Sequence, residues 1–395
     1  MAGCGQGGAA GSERTQPTEA AQTESVTTEQ TESKTPEQKE VGQIKIVTTI
    51  FPEYDWVKSI LGENAGSAEI TMLLDNGVDL HSYQPSVDDI MKISDCDLFV
   101  YVGGESDEWV NDVLAQATNP DMEVINLLEV LGDAVRAEEI VEGMEHEHEH
   151  EHEDGDEHED GDEHEDGDGH EHEDGDEHEH EDGDEHEHED GDEHEHEDGD
   201  EHEHEDGDAH EHEHEEEMDE HVWLSLRNSQ IICDAIAESL GRIDSANAEV
   251  YKENAEAYKE KLGELDSRYQ ETVNNADQKV LLFGDRFPFR YLVDDYGLDY
   301  YAAFSGCSAE SEASFETIVF LADKVDELGL SAILTLEGNN NGIAETVRDN
   351  TDSKDQDIFI MDSMQSTTSG DIENGMTYLS VMESNLEVLK KALAN

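Results

Sequence analysis

Residues 43–49 read Gln-Ile-Lys-Ile-Val-Thr-Thr and residues 97–102 read Asp-Leu-Phe-Val-Tyr-Val. Both are short and rich in β-branched or aromatic apolar residues, the pattern of strands buried within a sheet. Around them, 55–61 is expected as a helix stopped by Gly62, 69–74 as a strand, 87–93 as a short helix, 109–117 as a helix and 123–126 as a strand. Strands that alternate with helices imply a parallel α/β sheet.

The same alternation returns further along. Strands are expected at 279–284, 298–303, 332–336 and 357–361, and helices at 289–296, 314–327, 341–350 and 376–393. Between the two sets lie a helix at 229–240 ending at Gly241 and a longer one at 246–275. In the longer helix Tyr251, Ala255, Tyr258, Leu262, Leu265, Tyr269 and Val273 recur every four or three residues, which makes one apolar stripe. A helix of about 30 residues is ~45 Å long and can join two lobes. The expected class is α/β: two lobes, each a mainly parallel sheet flanked by helices, joined by one long helix. The boundaries are 1–42 (tether), 43–144 (N-terminal lobe, first part), 145–217 (insertion), 218–245 (N-terminal lobe, continued), 246–275 (linking helix) and 276–395 (C-terminal lobe).

The chain has 395 residues, with 21 Lys and Arg against 106 Asp and Glu, a formal charge of −85. That excludes a nucleic-acid binder, which needs a basic footprint, and opposes docking on anionic lipid. No apolar run approaches the ~20 residues of a membrane span. Much of the charge sits in 145–217, where 73 residues hold 19 His, 9 Gly, 1 Ala and 44 acids. The histidines are His146, His148, His150, His152, His158, His164, His170, His172, His178, His180, His186, His188, His194, His196, His202, His204, His210, His212 and His214. Such a segment has nothing apolar to bury and is expected to be disordered when free of metal. Calcium takes oxygen ligands, whereas dense imidazoles suit zinc, nickel or copper, so the segment is expected to collect labile metal. His146-Glu147-His148-Glu149-His150 satisfies His-Glu-x-x-His in letters, but Asp-Gly-Asp repeats cannot form the apolar-faced helix that a metalloprotease needs.

The chain opens Met1-Ala2-Gly3-Cys4. Small residues before a cysteine, followed by a polar tether, resemble the end of a bacterial lipoprotein signal. Cys4 is then expected to carry lipid and to hold the protein on the extracellular face of the cell membrane. The apolar helix of such a signal is missing from the sequence, which reads as a trimmed or misassigned start. Residues 5–42 have too few apolar side chains to fold. Cys96, Cys233 and Cys307 allow one disulfide and one odd thiol. No Cys-x-x-Cys occurs, so a cysteine-rich metal site is not expected.

Only His81 and His221 lie outside the tract. His81 sits in Asp79-Leu80-His81-Ser82-Tyr83-Gln84-Pro85-Ser86, and His221 in Asp219-Glu220-His221-Val222-Trp223-Leu224-Ser225. Each lies in a loop beside an acid and an aromatic residue. Neutral imidazole is a common metal ligand whose tautomer a carboxylate can fix. Spacing alone leaves open whether the two converge or are separate loop histidines.

These segments resemble the solute-binding lipoproteins of zinc and manganese ABC importers. That family carries acid-Pro-His-x-aromatic-x-Pro-Ser and Asp-Pro-His-x-Trp-Leu-Ser segments, and here Leu80 and Glu220 replace the prolines. Thr48-Thr49-Ile50-Phe51-Pro52, Tyr101-Val102-Gly103-Gly104 through Trp109, Tyr296-Gly297-Leu298, the run from Ser308 to Ser314, and Tyr378-Leu379 through Asn385-Leu386 are also family-like. The resemblance covers about 43–143 and 218–395. It implies two α/β lobes, a rigid linking helix and a metal site in the cleft between them. His81 and His221 match the first two ligands. The third family histidine falls on Arg286, which cannot bind a cation, so the neighbouring Asp285 is taken as a substitute; its alternative is pairing with Arg286 or Arg290. The fourth, an acid after a late strand, matches Asp362, with Glu337 as the alternative.

No nucleophile or general-base motif stands out. The resemblance implies a non-enzymatic, monomeric receptor that binds zinc and hands it to the membrane permease of an ABC importer. Alternatives are a manganese receptor of the same family, a zinc-dependent hydrolase using His81, His221 and an acid, and a surface metal buffer in which the tract is the function.

Overall fold

The computed structural model describes residues 43–144, 217–308, 312–338 and 341–394. Cys4, the tether and the 19 tract histidines lie outside the described residues. Glu217, expected as the last tract residue, belongs with the lobe: its carbonyl accepts from Glu138 N at 2.8 Å.

The N-terminal lobe is built on strands β1 (Ile44–Thr48), β2 (Ala68–Met72), β3 (Leu98–Tyr101) and β4 (Glu123–Asn126), all parallel, in the order β2-β1-β3-β4. Helices α1 (Phe51–Leu61), α2 (Val87–Ser94), α3 (Trp109–Leu114) and α4 (Leu127–Leu131) connect them, and α5 (Leu226–Ile243) packs on α1 and α4. Helix α6 (Ala248–Asn275) leads to the second lobe. There β5 (Val280–Phe287), β6 (Asp299–Ser305), β7 (Ala332–Leu336) and β8 (Asp357–Met361) form a second parallel sheet in the order β6-β5-β7-β8. Its helices are α7 (Arg290–Tyr296), α8 (Phe315–Leu328), α9 (Gly342–Asn350), α10 (Ser369–Glu373) and α11 (Tyr378–Ala392). Among the described residues no helix is long and apolar enough to cross a membrane.

Helix α6 buries the stripe read from the sequence, from Tyr251 to Val273. Its two ends serve different lobes. Tyr258 Oη donates to Asp55 on α1 at 3.3 Å, and Tyr269 Oη to the Met382 carbonyl on α11 at 2.6 Å. One continuous apolar cluster runs through both lobes, and a smaller one fills the space under α8 and α9. Buried Trp223 ties the lobes together by donating from Nε1 to the Ser363 carbonyl at 2.9 Å.

Several elements differ from the sequence reading. Helix α1 begins at Phe51 because Glu53 folds back to accept from Thr49 N and Ile50 N, and Pro52 suits a first turn. Helix α5 begins at Leu226, where Ser225 Oγ accepts from Arg227 N and Asn228 N, and it runs through Gly241 to Ile243. Strand β5 passes Gly284 and extends to Phe287. A Cβ at Gly284 would lie 2.5 Å from Ala344 Cα, so this glycine lets α9 pack on the strand and does not stop it. Helices α4 and α10, five residues each, are too short to show a periodicity. The three described cysteines are free thiols, so the disulfide that the sequence allows is not formed among them.

Candidate metal centre

His81 lies in a single helical turn, Leu80–Ser82, after β2. Asp79 caps that turn by accepting from His81 N at 3.0 Å. His221 precedes a second such turn, Val222–Leu224, whose apolar residues are buried and leave no freedom to the loop. The two imidazoles come together from opposite sides of the tract: Nε2 of His81 and Nε2 of His221 are 3.2 Å apart.

The other ring nitrogens are held. Asp219 Oδ1 accepts from His221 N at 2.8 Å and lies 3.1 Å from His221 Nδ1. His81 Nδ1 lies 2.8 Å from Ser106 Oγ and 3.4 Å from Glu220 Oε2, a buried oxygen with no hydrogen-bond partner among the described residues. Acceptors at both Nδ1 atoms place their protons there and leave Nε2 as the lone-pair nitrogen of each ring. Gln365 Nε2 sits 3.0 Å from His221 Nε2, as an amide donor to a lone pair would. Burial, and then the proximity of His221, lower the His81 pKa to about 4, so the ring is neutral at physiological pH.

Cys307 completes the cluster. The ligand atoms of His81, His221 and Cys307 all lie within 4.8 Å of one another. Burial, and then Glu138, push the free thiol pKa up. The chain reaches this place through Gly306, where a Cβ would lie 3.0 Å from His221 Cε1 and 2.9 Å from the Phe287 carbonyl. Glu138 Oε1 accepts from Cys307 N at 3.1 Å. Gly104, at φ +86°, makes room for Glu220: a Cβ there would lie 2.2 Å from Glu220 Oε1.

The three expected acids are not members of this cluster and make bonds of their own. Asp285 is buried in β5, where its Oδ2 accepts from Thr335 Oγ1 at 2.7 Å and Leu336 N at 3.0 Å. Toward the expected alternative, a pairing with Arg286 or Arg290, its Oδ1 accepts from the backbone Arg286 N at 2.9 Å. Glu337 accepts from Ser363 N, Ser363 Oγ and Gln365 N, and Asp362 from Met364 N. Burial and the Glu337 charge raise the Asp362 pKa to about 7. These two acids shape the loop that presents Gln365 to His221; neither joins the three-residue cluster. Arg286 pairs with Asp79, Nη2 to Oδ2 2.8 Å.

Cys307 and Gln365 were not legible as site residues. The lack of a Cys-x-x-Cys argues against a cysteine-rich site, yet a single thiol beside two histidines needs no second cysteine. The signal available was its position, one glycine past the C-terminal end of β6, where parallel sheets place their ligands.

Two imidazole nitrogens at 2.0–2.1 Å from a tetrahedral zinc stand about 3.3 Å apart. The observed 3.2 Å matches that spacing.

A family profile described as "Zinc-uptake complex component A periplasmic" (ZnuA) matches residues 46–392. The chain is 28% identical over 349 residues to the zinc-binding protein AdcA of Streptococcus pyogenes serotype M3, covering 88% of this chain and 56% of that one. It therefore spans little more than half the length of that relative. It is 24% identical over 351 residues to the high-affinity zinc uptake system protein ZnuA of Bacillus subtilis strain 168, covering 89% and 88%. The crystal structure of the Zn(II)-bound ZnuA-like domain of Streptococcus pneumoniae AdcA superposes with a TM-score of 0.59 at 24% identity, over 90% of this chain and all of that one. The laminin-binding adhesin of Streptococcus agalactiae does so at 0.59 and 20%, over 89% and all of it. Both likenesses are of fold.

Proposed function

Because the chain belongs to the ZnuA family of zinc-uptake components, we propose that it is a metal receptor, not an enzyme, which captures zinc between its lobes and delivers it to the membrane permease of an ABC importer. The observation that carries this reading is the pair of imidazole Nε2 atoms 3.2 Å apart, each ring fixed through Nδ1. Zinc is the cargo such a pair favours, since neutral imidazole suits it better than it suits manganese. The links between lobes, including Trp223 to Ser363 and Arg286 to Asp79, support a largely preformed site. Action as a monomer on the extracellular membrane face, anchored through lipid on Cys4, belongs to the same reading. Competition of the full chain with a chromophoric chelator tests it. One tight zinc site lost in His81→Ala is expected. Zinc binding that is weak throughout and indifferent to His81 and His221 would overturn it.

A further inference from the structure

We infer that Cys307 is a thiolate ligand of the cleft metal, so that this site is built from two imidazoles and one sulfur. The inference rests on the receptor reading and deepens it. The ligand atoms of the three residues lie within 4.8 Å of one another, and those of a tetrahedral zinc with two nitrogens and one sulfur would stand roughly 3.3–3.6 Å apart.

The surroundings have been shaped for that approach. A Cβ at position 306 would crowd the His221 ring at 3.0 Å and press on the Phe287 carbonyl at 2.9 Å, so the glycine there lets the backbone bring Cys307 close to His221. Glu138 holds the Cys307 backbone from the other direction. Cys96 and Cys233 are fully buried in the apolar core, so Cys307 is the one partly accessible thiol among the described cysteines. The residue at the resembled third-ligand position cannot substitute, because the Arg286 guanidinium is a permanent cation held by Asp79.

On binding, the S–H bond of Cys307 breaks, the proton leaves to solvent, and the sulfur electron pair forms the bond to the metal; nothing is oxidised or reduced. A soft sulfur donor shifts preference toward zinc and cadmium and away from manganese.

The test uses the full chain carrying Cys4→Ser, loaded with cobalt(II) as a spectroscopic stand-in for zinc. Tract imidazoles and carboxylates bind cobalt too, but only a thiolate gives the intense near-ultraviolet sulfur-to-cobalt charge-transfer band. The band is expected at one equivalent per chain, absent in Cys307→Ser and absent in His81→Ala/His221→Ala. Cys307→Ser is also expected to lower zinc affinity at least about 10-fold, and saturating zinc to protect Cys307 from iodoacetamide. If tight zinc binding depends on His81 while no thiolate band forms, the inference falls and the receptor reading stands. If no binding depends on His81 or His221, the receptor reading falls and takes this inference with it.

Discussion

Arg286 reaches across the cleft to Asp79, Nη2 to Oδ2 2.8 Å, between residues 207 positions apart in the chain. The same carboxylate caps the turn that carries His81. Burial works against ionising Asp79, but Arg286 and His81 together hold its pKa below the usual carboxylate range. A position that resembles a ligand position in the sequence is thus a tether between β5 and the His81 turn. Arg286→Ala is expected to leave a His81-dependent zinc site, weakened less than about 10-fold, because it removes a support and no ligand. Abolished binding in a folded Arg286→Ala chain, read by calorimetry, would contradict this.

His81→Ala and His221→Ala each remove a metal-facing nitrogen. Each is expected to weaken the tight site by at least ~10-fold, about 1.4 kcal/mol. Asp219→Ala removes the acceptor at His221 Nδ1 and is expected to cost about 10-fold, as loss of a ligand's own support does. Unchanged chelator competition in any of the three would remove that residue from the site.

Asp285→Ala separates a structural acid from a ligand. The side chain accepts from Thr335 and from the backbone of Leu336 inside the sheet. Its loss should leave buried donors unpaired and lower stability by about 1–3 kcal/mol. Zinc affinity of the folded fraction should hold within 10-fold. Collapse of affinity with unchanged thermal stability would make Asp285 the ligand that the sequence alone suggests.

Buried acids give stability a definite pH dependence. The pKa of Asp107 is raised to about 7 by burial and by Glu220, against the opposing bond from Gly103 N. In the unfolded chain it is near 3.9. The folded form then holds a proton that the unfolded form releases. The stabilisation is full below about pH 4 and is lost as pH rises through 7, at up to ~1.4 kcal/mol per pH unit in between. Asp107→Asn keeps the shape and cannot titrate, so its urea midpoint should fall less between pH 5 and pH 8 than that of the wild type. Parallel declines would show that Asp107 ionises normally in the folded protein.

The sheets, their parallel sense and the linking helix were legible because each rests on local pattern: apolar strands, and a stripe from Tyr251 to Val273 at helical spacing. Boundaries failed where a cap or a tertiary contact decided them, as at Glu53, Ser225 and Gly284. The two histidines were legible through the family-like segments that carry them, 79–86 and 219–225. The third member was not, because Cys307 joins them through a fold contact across 86 residues from His221, and no local pattern records that approach. Asp285 stands beside the matched position Arg286 on β5, and neighbours in sequence on a strand point to opposite faces.

The tract is expected to hold several zinc ions weakly and to pass them to the cleft. Its flanks are strapped beside the site: Ala137 and Met218 form an antiparallel bridge, Asp219 N donates to the Arg136 carbonyl, and Glu138 on the same segment holds Cys307 N. Ligands tethered there reach a local concentration on the order of millimolar, so capture speeds up without tight sites, and weak sites release quickly. The surplus of carboxylates adds a local enrichment of cations that fades with salt. Imidazole binds only when neutral, so tract binding should fall as pH drops through ~6.5, while His81, with its pKa near 4, remains neutral. Replacing residues 145–216 by a short Gly-Ser linker should keep the Ala137–Met218 bridge and the tight-site affinity, lower the zinc stoichiometry, and slow uptake only when zinc is scarce. Equilibrium dialysis and uptake at limiting zinc decide the matter: full stoichiometry in the deletion would deny the tract its role, and loss of the tight site would make the tract part of it.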